Sequence, residues 1–392
     1  MMQQELVLPV QSSKRTAIVD ILRGWAILGV VLGNYTDYAF IGKPVKIKYD
    51  MLSNILMGIN QFIFAAKSWT LLSLLFGYGF AVVMNNIAAK GKSPVAFFTR
   101  RMFWLFVIAF INSAFWLGDI LKDYAFLGLV LLLFYKASAK TAFWSGAFLL
   151  LIVPFISAWV SNTMPYDYDA VVKAQVLPTL YSHNWLDIFT AQLKGTYYLE
   201  VLLPQYAISV HVMMFACMLF GFAAQRIDFF NRLPELKKQL KTTFWIALAS
   251  TVILSVALGT LQHFKLTAIF THFKPRYWVI FATMLTIATG ISWLYTCGKL
   301  KSIFNGFQAM GKMTLTNYMV QNILAVLLFL NVGLGLFNTR QYWVYFLIAL
   351  VIFIVQIPLS QWWLANYNYG PIEWVWRQLS YGRRLPIKKV KD

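Results

Sequence analysis

Residues 20–34 (DILRGWAILGVVLGN) decide the fold class, because they are apolar enough to cross a membrane and yet contain an Asp, an Arg and an Asn. Apolar runs of roughly 16–24 residues, long enough to span a bilayer, recur along the whole chain. Of the 392 residues, 59% are hydrophobic and only 12% are charged, whereas water-soluble proteins contain far more charge. The sequence therefore predicts an all-α, polytopic transmembrane helical bundle.

The net charge of +20 does not indicate a nucleic-acid partner, because Lys and Arg lie in the segments that flank the apolar runs. These cations are concentrated in alternate connecting segments if the N-terminus is cytoplasmic, as the positive-inside rule requires. Both termini are then expected on the cytoplasmic side of the membrane. Cys217 and Cys297 lie in different runs and have no metal-binding spacing, so no metal site is expected.

The apolar runs predict about ten spans. Their expected bounds are 17–38, 69–88, 102–118, 120–135, 141–161, 205–225, 242–262, 277–297, 313–335 and 342–364. We expect three parts: a cytoplasmic tail (1–16), an N-terminal bundle of spans 1–6 (17–225) with an extracytoplasmic loop (162–204), and a C-terminal part with spans 7–10 (226–392). Interfacial helices are expected near 51–66 and 371–380, and a short helix near 185–198.

The polar residues of the first span share one face. At 100° per residue, Asp20, Arg23, Asn34 and Asp37 form one stripe. Such a stripe faces the bundle interior or a water-filled cavity rather than lipid. The alternative is a structural Asp20–Arg23 ion pair near the inner interface, with Arg23 reaching the headgroups.

Span nine has a second polar face, formed by Thr314, Asn317 and Gln321. Polar side chains of this kind either line a pocket or hydrogen-bond neighbouring helices together. Two further groups, His211 and Asp119, fall in the extracytoplasmic half and are candidates for proton transfer. A histidine with purely structural hydrogen bonds is the alternative for His211.

Five motifs, in order along the chain, resemble the YeiB-like family of bacterial inner-membrane proteins, a family of unknown function. They are Asp20-x-x-Arg23-Gly24 with Asn34, Leu74-Leu-Phe-Gly-Tyr-Gly-Phe80, Gly118-Asp-Ile-Leu-x-x-Tyr124-Ala125, Gly311-Lys-Met-Thr-Leu-Thr-Asn-Tyr318 with Gln321, and Gly370-Pro-Ile-Glu-Trp-x-Trp-Arg377. The resemblance implies that the C-terminal part, 226–392, corresponds to the family's named domain.

The family in turn resembles, more distantly, the ten-helix membrane acyltransferases of the acyltransferase type 3 group. Those proteins have an Arg in span one followed eleven residues later by a His, and they transfer an acyl group from cytoplasmic acyl-CoA to an extracytoplasmic acceptor. In this chain the two corresponding residues are Arg23 and, eleven residues later, Asn34 instead of a His. An amide does not titrate, so Asn34 cannot act as a general base. His211, Asp37 or Asp119 would have to do so.

In this interpretation Arg23, paired with Asp20, binds the phosphate of the acyl donor or holds the cytoplasmic entrance, and Asn34 polarises or orients the reacting groups. Two other functions stay open. A transporter would use the first-span stripe with Asp37, together with Thr314, Asn317 and Gln321, as its path. A non-catalytic membrane scaffold would use every one of these polar groups to hold helices together, and its interior would contain no cavity.

Overall fold

The computed structural model describes residues 16–40, 50–337 and 340–389, without the side chain of residue 267. Most of the expected N-terminal tail (1–16) lies outside the described residues. Within them the protein is helical and has no strand, only an isolated bridge between Tyr367 and Lys388. The α-helices of this part are α1 Ala17–Asp37, α2 Met51–Ile59, α3 Lys67–Ala88, α4 Pro94–Ser113, α5 Leu121–Leu131, α6 Ala139–Thr163, α7 Tyr168–Gln175, α8 Leu177–Leu180, α9 Trp185–Thr196, α10 His211–Arg226, α11 Lys237–His263, α12 Arg276–Thr296, α13 Lys301–Lys312, α14 Thr314–Phe329, α15 Tyr342–Asn366 and α16 Pro371–Tyr381.

Eight helical segments of the described chain are long and apolar enough to cross a membrane. They are Ala17–Asp37, Met51–Ala88, Pro94–Ser113, Ala139–Thr163, Gln205–Arg226, Lys237–His263, Arg276–Thr296 and Tyr342–Asn366. These apolar helices indicate a multi-pass membrane protein. The two remaining expected spans, 120–135 and 313–335, correspond to the shorter helices α5 and α14.

The span expected at 313–335 is shorter because its apolar composition continues beyond the helix. α14 ends at Phe329, and the chain then turns back: the amide of Leu334 donates to the carbonyl of Leu327, and that of Phe337 to Phe329, both at 2.8 Å. Leu330 and Phe337 are buried in this turn. The buried residues of the turn are as apolar as those of the helix, so hydropathy overestimates the length of the span.

The segment expected to form one interfacial helix at 51–66 consists of α2 and a π-helical turn, Asn60–Phe64. Ser53 and Asn60 are buried, whereas Leu52, Ile55 and Phe62 are exposed. This polar-inside, apolar-outside pattern suits a helix that faces lipid. Ala66, with φ of 61°, separates the segment from α3.

The expected loop at 162–204 is itself mostly helical. It contains α7, α8 and α9, the last at the expected position, followed by a π-helical segment, Tyr197–Leu202. The C-terminal interfacial helix expected near 371–380 is α16. Pro371 stands in its first turn, where proline fits because the missing N–H has no helical partner, and Gly382 ends it with φ of 64°.

Two helix crossings depend on glycine, because the backbones meet there. A Cβ added to Gly24 of α1 would lie 1.9 Å from the carbonyl oxygen of Phe307 in α13, and one on Gly311 would lie 1.7 Å from that of Asp20. α3 and α10 approach equally closely at Gly77 and Gly221. These contacts place α1, α3, α10 and α13 at the centre of the bundle.

The bundle has two ends, called the Thr16 end and the Asp37 end after the residues at the two ends of α1. At the Thr16 end, the Thr16 hydroxyl donates to Asn231 at 2.7 Å, and Arg226 donates to Asn85 and to the carbonyl of Tyr135. At the Asp37 end, α1 meets the segment before α3 and the start of α15. The remaining helices run between these two ends or cover them.

Candidate functional site

The polar stripe of α1 lines two cavities that enter the bundle from opposite ends. The Arg23 cavity, at the Thr16 end, has a volume of about 460 Å³, and the Asn34 cavity, at the Asp37 end, has about 900 Å³. Both volumes suit small-molecule ligands. Every third or fourth residue of α1 lines one or both of them: Asp20, Arg23, Ile27, Val30, Asn34 and Asp37.

The Arg23 cavity is cationic at its mouth. Arg23 pairs with Asp20 at 3.3 Å, and the Asp20 side chain is buried while that of Arg23 is 24% exposed. Three further cations line the same cavity, namely Arg101, Lys312 and Arg377, and so do the acidic residues Asp228 and Glu373, which leaves a small excess of positive charge. Several guanidinium groups around one opening favour a ligand with phosphate or carboxylate groups, because a guanidinium binds such oxygens in a bidentate manner.

The deeper wall of the Arg23 cavity is apolar. It is formed by side chains of α1, α3 and α4: Ile27, Leu72, Phe76, Phe80, Met102 and Leu105. A charged mouth above an apolar interior favours an amphipathic ligand, whose anionic group stays at the mouth while its apolar part is removed from water. The scaffold alternative requires an interior without cavities, and these two cavities therefore do not favour it.

Helix α16 closes one side of the Arg23 cavity and is fixed at two points. The Glu373 carboxylate accepts hydrogen bonds from the amides of Leu315 and Thr316 at 2.7 and 3.1 Å and from the Thr316 hydroxyl at 2.5 Å. It thereby caps the N-terminus of α14, although burial raises the pKa of this carboxyl. The Trp376 indole donates to the Arg101 carbonyl at 2.9 Å, and the Arg101 guanidinium lies 3.6 Å from the ring centroid.

The Asn34 cavity has a different lining. The Asn34 side chain makes no hydrogen bond with another described residue, and Asp37, one turn further along α1, is exposed. The aromatic side chains in this wall are Phe40, Phe64, Trp69, Trp116, Tyr168, Tyr206 and Tyr318, and its further charged residues are Asp167, Asp169 and Lys173. Part of the wall comes from three π-helical segments, Asn60–Phe64, Tyr197–Leu202 and Gln205–Val210. π-Helical turns are rare and are often found at functional sites.

His211 lies beside the Asn34 cavity, outside its wall. Its Nδ1 is 2.8 Å from the carbonyl oxygen of Ala207, which can only accept, so this nitrogen carries the proton. Its Nε2 is 3.1 Å from a carboxylate oxygen of Asp123, and the other oxygen of Asp123 accepts from the Tyr206 hydroxyl at 2.7 Å. Both ring nitrogens are therefore engaged, which disfavours His211 as a general base.

Asp119 is fully buried in the turn between α4 and α5 and lines neither cavity. Its carboxylate accepts a hydrogen bond from the side-chain amide of Asn112 at 2.8 Å. The side-chain amide of Asn322 in α14 donates in turn to the side-chain oxygen of Asn112 at 3.3 Å. Burial raises the pKa of the Asp119 carboxyl to about 6, against the lowering effect of Lys122. This arrangement ties α4, the turn and α14 together.

Lys122 bridges two acidic side chains at the same end. Its ammonium lies 3.0 Å from Glu200 and 3.8 Å from Asp119. Glu200 is buried, and burial together with Asp123 raises the pKa of its carboxyl to about 9. The connection from α9 to α10 is thereby fixed to the start of α5.

The polar face of α14 divides between two environments. Thr314 lines the Arg23 cavity. Asn317 instead donates to Ser360 at 3.0 Å, and Gln321 donates to Gln356 at 2.7 Å, both across to α15. Asn317 and Gln321 are buried and lie in the wall of neither cavity, so their contacts match those of residues that join helices.

The structure thus brings Asp20, Arg23 and Thr314 together in one cavity, and Asn34 and Asp37 in the other. Sequence reasoning missed the cations Arg101 and Arg377 and the Asp123–Tyr206 pair. Arg377 stands in a quoted motif, and Asp123 occupies an unspecified position (x) within another, but only the fold shows what they contact. In the described parts of the chain, no group of three or more His, Cys, Asp and Glu residues is arranged to hold a metal ion.

Comparison with known proteins gives a family but no activity. Residues 224–383 match the family described as "Protein of unknown function (DUF418)". The chain is 28% identical to the uncharacterized protein YxaH of Bacillus subtilis (strain 168), over 97% of this chain and 98% of YxaH. It is 26% identical to the uncharacterized protein YeiB of Escherichia coli (strain K12), over 94% of this chain and 96% of YeiB.

A third relative, an uncharacterized 39.9 kDa protein of Bacillus acidopullulyticus, is 25% identical over 98% of this chain and 99% of its own length. No solved structure matches the chain. The resemblance to membrane acyltransferases stays a prediction. Residues 224–383 thus match the DUF418 family, and nearly the whole chain is similar to YxaH and YeiB, two proteins of unknown function.

Proposed function

We propose that the protein crosses a bacterial inner membrane ten times, with the Thr16 end and both termini in the cytoplasm. The α5 segment supports a crossing despite its length, since it begins beside Glu200 at the Asp37 end and reaches Tyr135 at the Thr16 end. α14 likewise begins beside Glu373 at the Thr16 end. It ends at Phe329, which packs on Tyr38 at the Asp37 end. The concentration of Lys and Arg in the segments at the Thr16 end supports the orientation.

We further propose that the protein transfers an acyl group from a cytoplasmic donor in the Arg23 cavity to an extracytoplasmic acceptor in the Asn34 cavity. One observation carries this proposal: the stripe of α1 lines both cavities, and the cavities share the wall residues Val30, Ile120 and Tyr318. A reaction between substrates on opposite sides of a membrane needs such a meeting point.

The chemistry of the Arg23 cavity favours an acyl donor that carries phosphate, such as acyl-CoA. Arg23, Arg101 and Arg377 would hold the phosphate groups at the mouth, where the ligand stays close to water. The acyl end would extend along the apolar wall toward Val30. By helix rise, Arg23 lies about 10 Å from Val30 and about 16 Å from Asn34, so the donor reaches the second cavity in an extended form.

The transfer itself would use Asn34 and Asp37. The acceptor hydroxyl oxygen bonds to the thioester carbonyl carbon, the hydroxyl proton passes to the Asp37 carboxylate, and the carbon–sulfur bond breaks. The departing thiolate leaves as the thiol after taking up a proton. The Asn34 amide donates to the carbonyl oxygen as negative charge develops on it. Asp37 takes the role of base because it lies in the cavity, whereas His211 and Asp119 lie outside it.

A transporter is the second candidate, and the shared wall supports it too. Two cavities that enter from opposite ends and are separated by few side chains also form the path of a carrier. The two functions differ in what happens to the donor. A transferase cleaves it and a transporter moves it intact.

The test uses the purified protein in proteoliposomes with acyl-CoA carrying one label in the acyl group and another in the coenzyme. Transfer predicts that only the acyl label reaches the opposite side. Arg23→Ala should weaken donor binding by about 100-fold, and Arg23→Lys by nearly as much, because a bidentate charged contact contributes on the order of 3 kcal/mol.

Arg232→Ala is the matched control, since Arg232 is exposed and, among the described residues, its side chain pairs with Glu235 alone, at the same end. It should bind the donor as the wild type does. Movement of both labels together would favour transport. Wild-type binding by Arg23→Lys would contradict the phosphate contact and favour a structural Asp20–Arg23 pair.

A further inference from the structure

The two cavities are separated by one layer of side chains. Val30 of α1, Ile120 at the start of α5 and Tyr318 of α14 line both of them, and no other residue does so in the described part of the chain. On α1 the layer is thinner than one turn, since Ile27 lines only the Arg23 cavity and Gly29 only the Asn34 cavity. This layer is called the constriction below.

The constriction consists of stiff side chains. Val30 and Ile120 are β-branched and have few accessible rotamers. Both are half-buried, as expected for side chains that face open space, and Tyr318 is buried. An opening bordered by such groups keeps its width, because none of the three can move aside as a Met or Lys would.

A buried polar cluster that lines neither cavity supports the side chains of the constriction. Asn112 donates to Asp119, the neighbour of Ile120, and Asn322 of α14 donates to Asn112. The Tyr318 side chain lies next to Asp119 and Asn322. Ile120 and Tyr318 are thus fixed to one network, which explains why polar groups are buried at a position that faces neither cavity.

We propose that Val30, Ile120 and Tyr318 form a selectivity constriction, which keeps the two cavities from joining and limits the transferred group to a short acyl chain. The second part rests on the proposed function. For Asn34 and Asp37 to act on the carbonyl, the acyl chain beyond it must already have passed the constriction. A long chain would then extend past Asn34 and Asp37 into the space that the acceptor must occupy.

The experiment compares Val30→Ala and Ile120→Ala with the wild type in proteoliposomes. Acyl transfer is measured with acetyl-CoA and octanoyl-CoA. The wild type should prefer acetyl-CoA, and each variant should shift the ratio of the two rates by about tenfold toward octanoyl-CoA, the usual size of a methylene-scale pocket effect. Val19→Ala is the matched control, since Val19 is on the same helix and lines only the Arg23 cavity.

A second readout does not depend on transfer. Thr314→Cys places a thiol in the Arg23 cavity, and a small membrane-impermeant thiol reagent should reach it only from the cytoplasmic side. With Val30→Ala added, the same reagent should also reach it from the other side, whereas with Val19→Ala it should not. The two native cysteines are replaced by Ala in all variants.

The outcomes are distinguishable. If the wild type transfers no acyl group, the proposed function and the acyl limit fail together, and the thiol labelling still decides whether the constriction separates the cavities. If transfer occurs with the same donor preference in wild type, Val30→Ala and Ile120→Ala, the acyl limit is wrong. Labelling of Thr314→Cys from both sides in the wild type would overturn the constriction.

Discussion

The two cavities differ in how their walls are built. The Arg23 cavity is bordered by regular helices whose backbones touch at Gly24 and Gly311, and its mouth is rich in cations. The Asn34 cavity has about twice the volume, and π-helical and loop segments form part of its wall. The difference suggests a rigid site for an anionic, amphipathic ligand at one end. At the other end it suggests a roomier site that is positioned by buried hydrogen bonds.

The first prediction concerns the close packing of α1 on α13 at Gly24, beside the Arg23 cavity. Gly24→Ala should destabilise the protein on the order of 3 kcal/mol, because its Cβ would overlap a backbone carbonyl that cannot move alone. Gly33→Ala is the control on the same helix, since its Cβ would meet nothing within 4 Å. Thermal unfolding in detergent should show a much lower Tm for Gly24→Ala only. Equal Tm values would contradict the close packing of α1 on α13.

The second prediction removes the cap that joins α16 to α14. Glu373→Ala should cost about 2 kcal/mol, because two backbone amides and a hydroxyl lose their acceptor. Glu235→Ala, an exposed carboxylate at the same end, serves as the control and should change the Tm little. A Tm for Glu373→Ala as high as that of the control would mean that α16 is not held through this carboxylate.

The third prediction concerns the buried network beside the Asn34 cavity. Burial raises the pKa of Glu200 from 4.5 to about 9, so the folded protein keeps a proton that the unfolded chain releases. Stability is therefore lost as the pH rises from about 4.5 toward 9. Glu200→Gln should remove this loss, and its Tm should exceed that of the wild type by a margin that grows with pH.

The control for this pH series is Glu235→Gln, which should follow the wild type at every pH. If the Tm of Glu200→Gln instead fell below that of the wild type by a margin that grows with pH, Lys122 would be keeping Glu200 ionised. The ion pair would then dominate over burial at this position.

The smallest expected effect tests the second attachment of α16. Trp376→Phe keeps an aromatic ring over Arg101 but removes the hydrogen bond to its carbonyl, at a cost of about 1 kcal/mol. Trp245→Phe, on the exposed face of α11, is the matched control. Tm values measured side by side should separate the two variants by a few degrees, and no separation would contradict the contact.

The sequence was sufficient to predict the helical class and the stripe of α1, because both follow from the spacing of residues along one helix. Asp20, Arg23, Asn34 and Asp37 all line cavities, as a buried polar stripe predicts. Thr314, Asn317 and Gln321 show the limit of this reasoning. They share a face, but the position of α15 decides which of them meet a cavity and which meet another helix.

The remaining features join residues that are distant in the chain. Asp123 and Tyr206 are 83 residues apart, and Arg101 and Trp376 are 275 apart. Hydropathy does not reveal the π-helical segments either. The apolar turn after α14 misled the span prediction for the same reason, because burial by tertiary contacts and burial in lipid have the same composition.

The most direct test of the central claim is sided labelling of one thiol in each cavity. Thr314→Cys and Gly33→Cys, each with Cys217 and Cys297 replaced by Ala, are exposed to a membrane-impermeant thiol reagent in right-side-out and inside-out vesicles. Two cavities on opposite sides predict that Thr314→Cys reacts only in inside-out vesicles and Gly33→Cys only in right-side-out vesicles. Reaction of both thiols in the same type of vesicle would contradict the account.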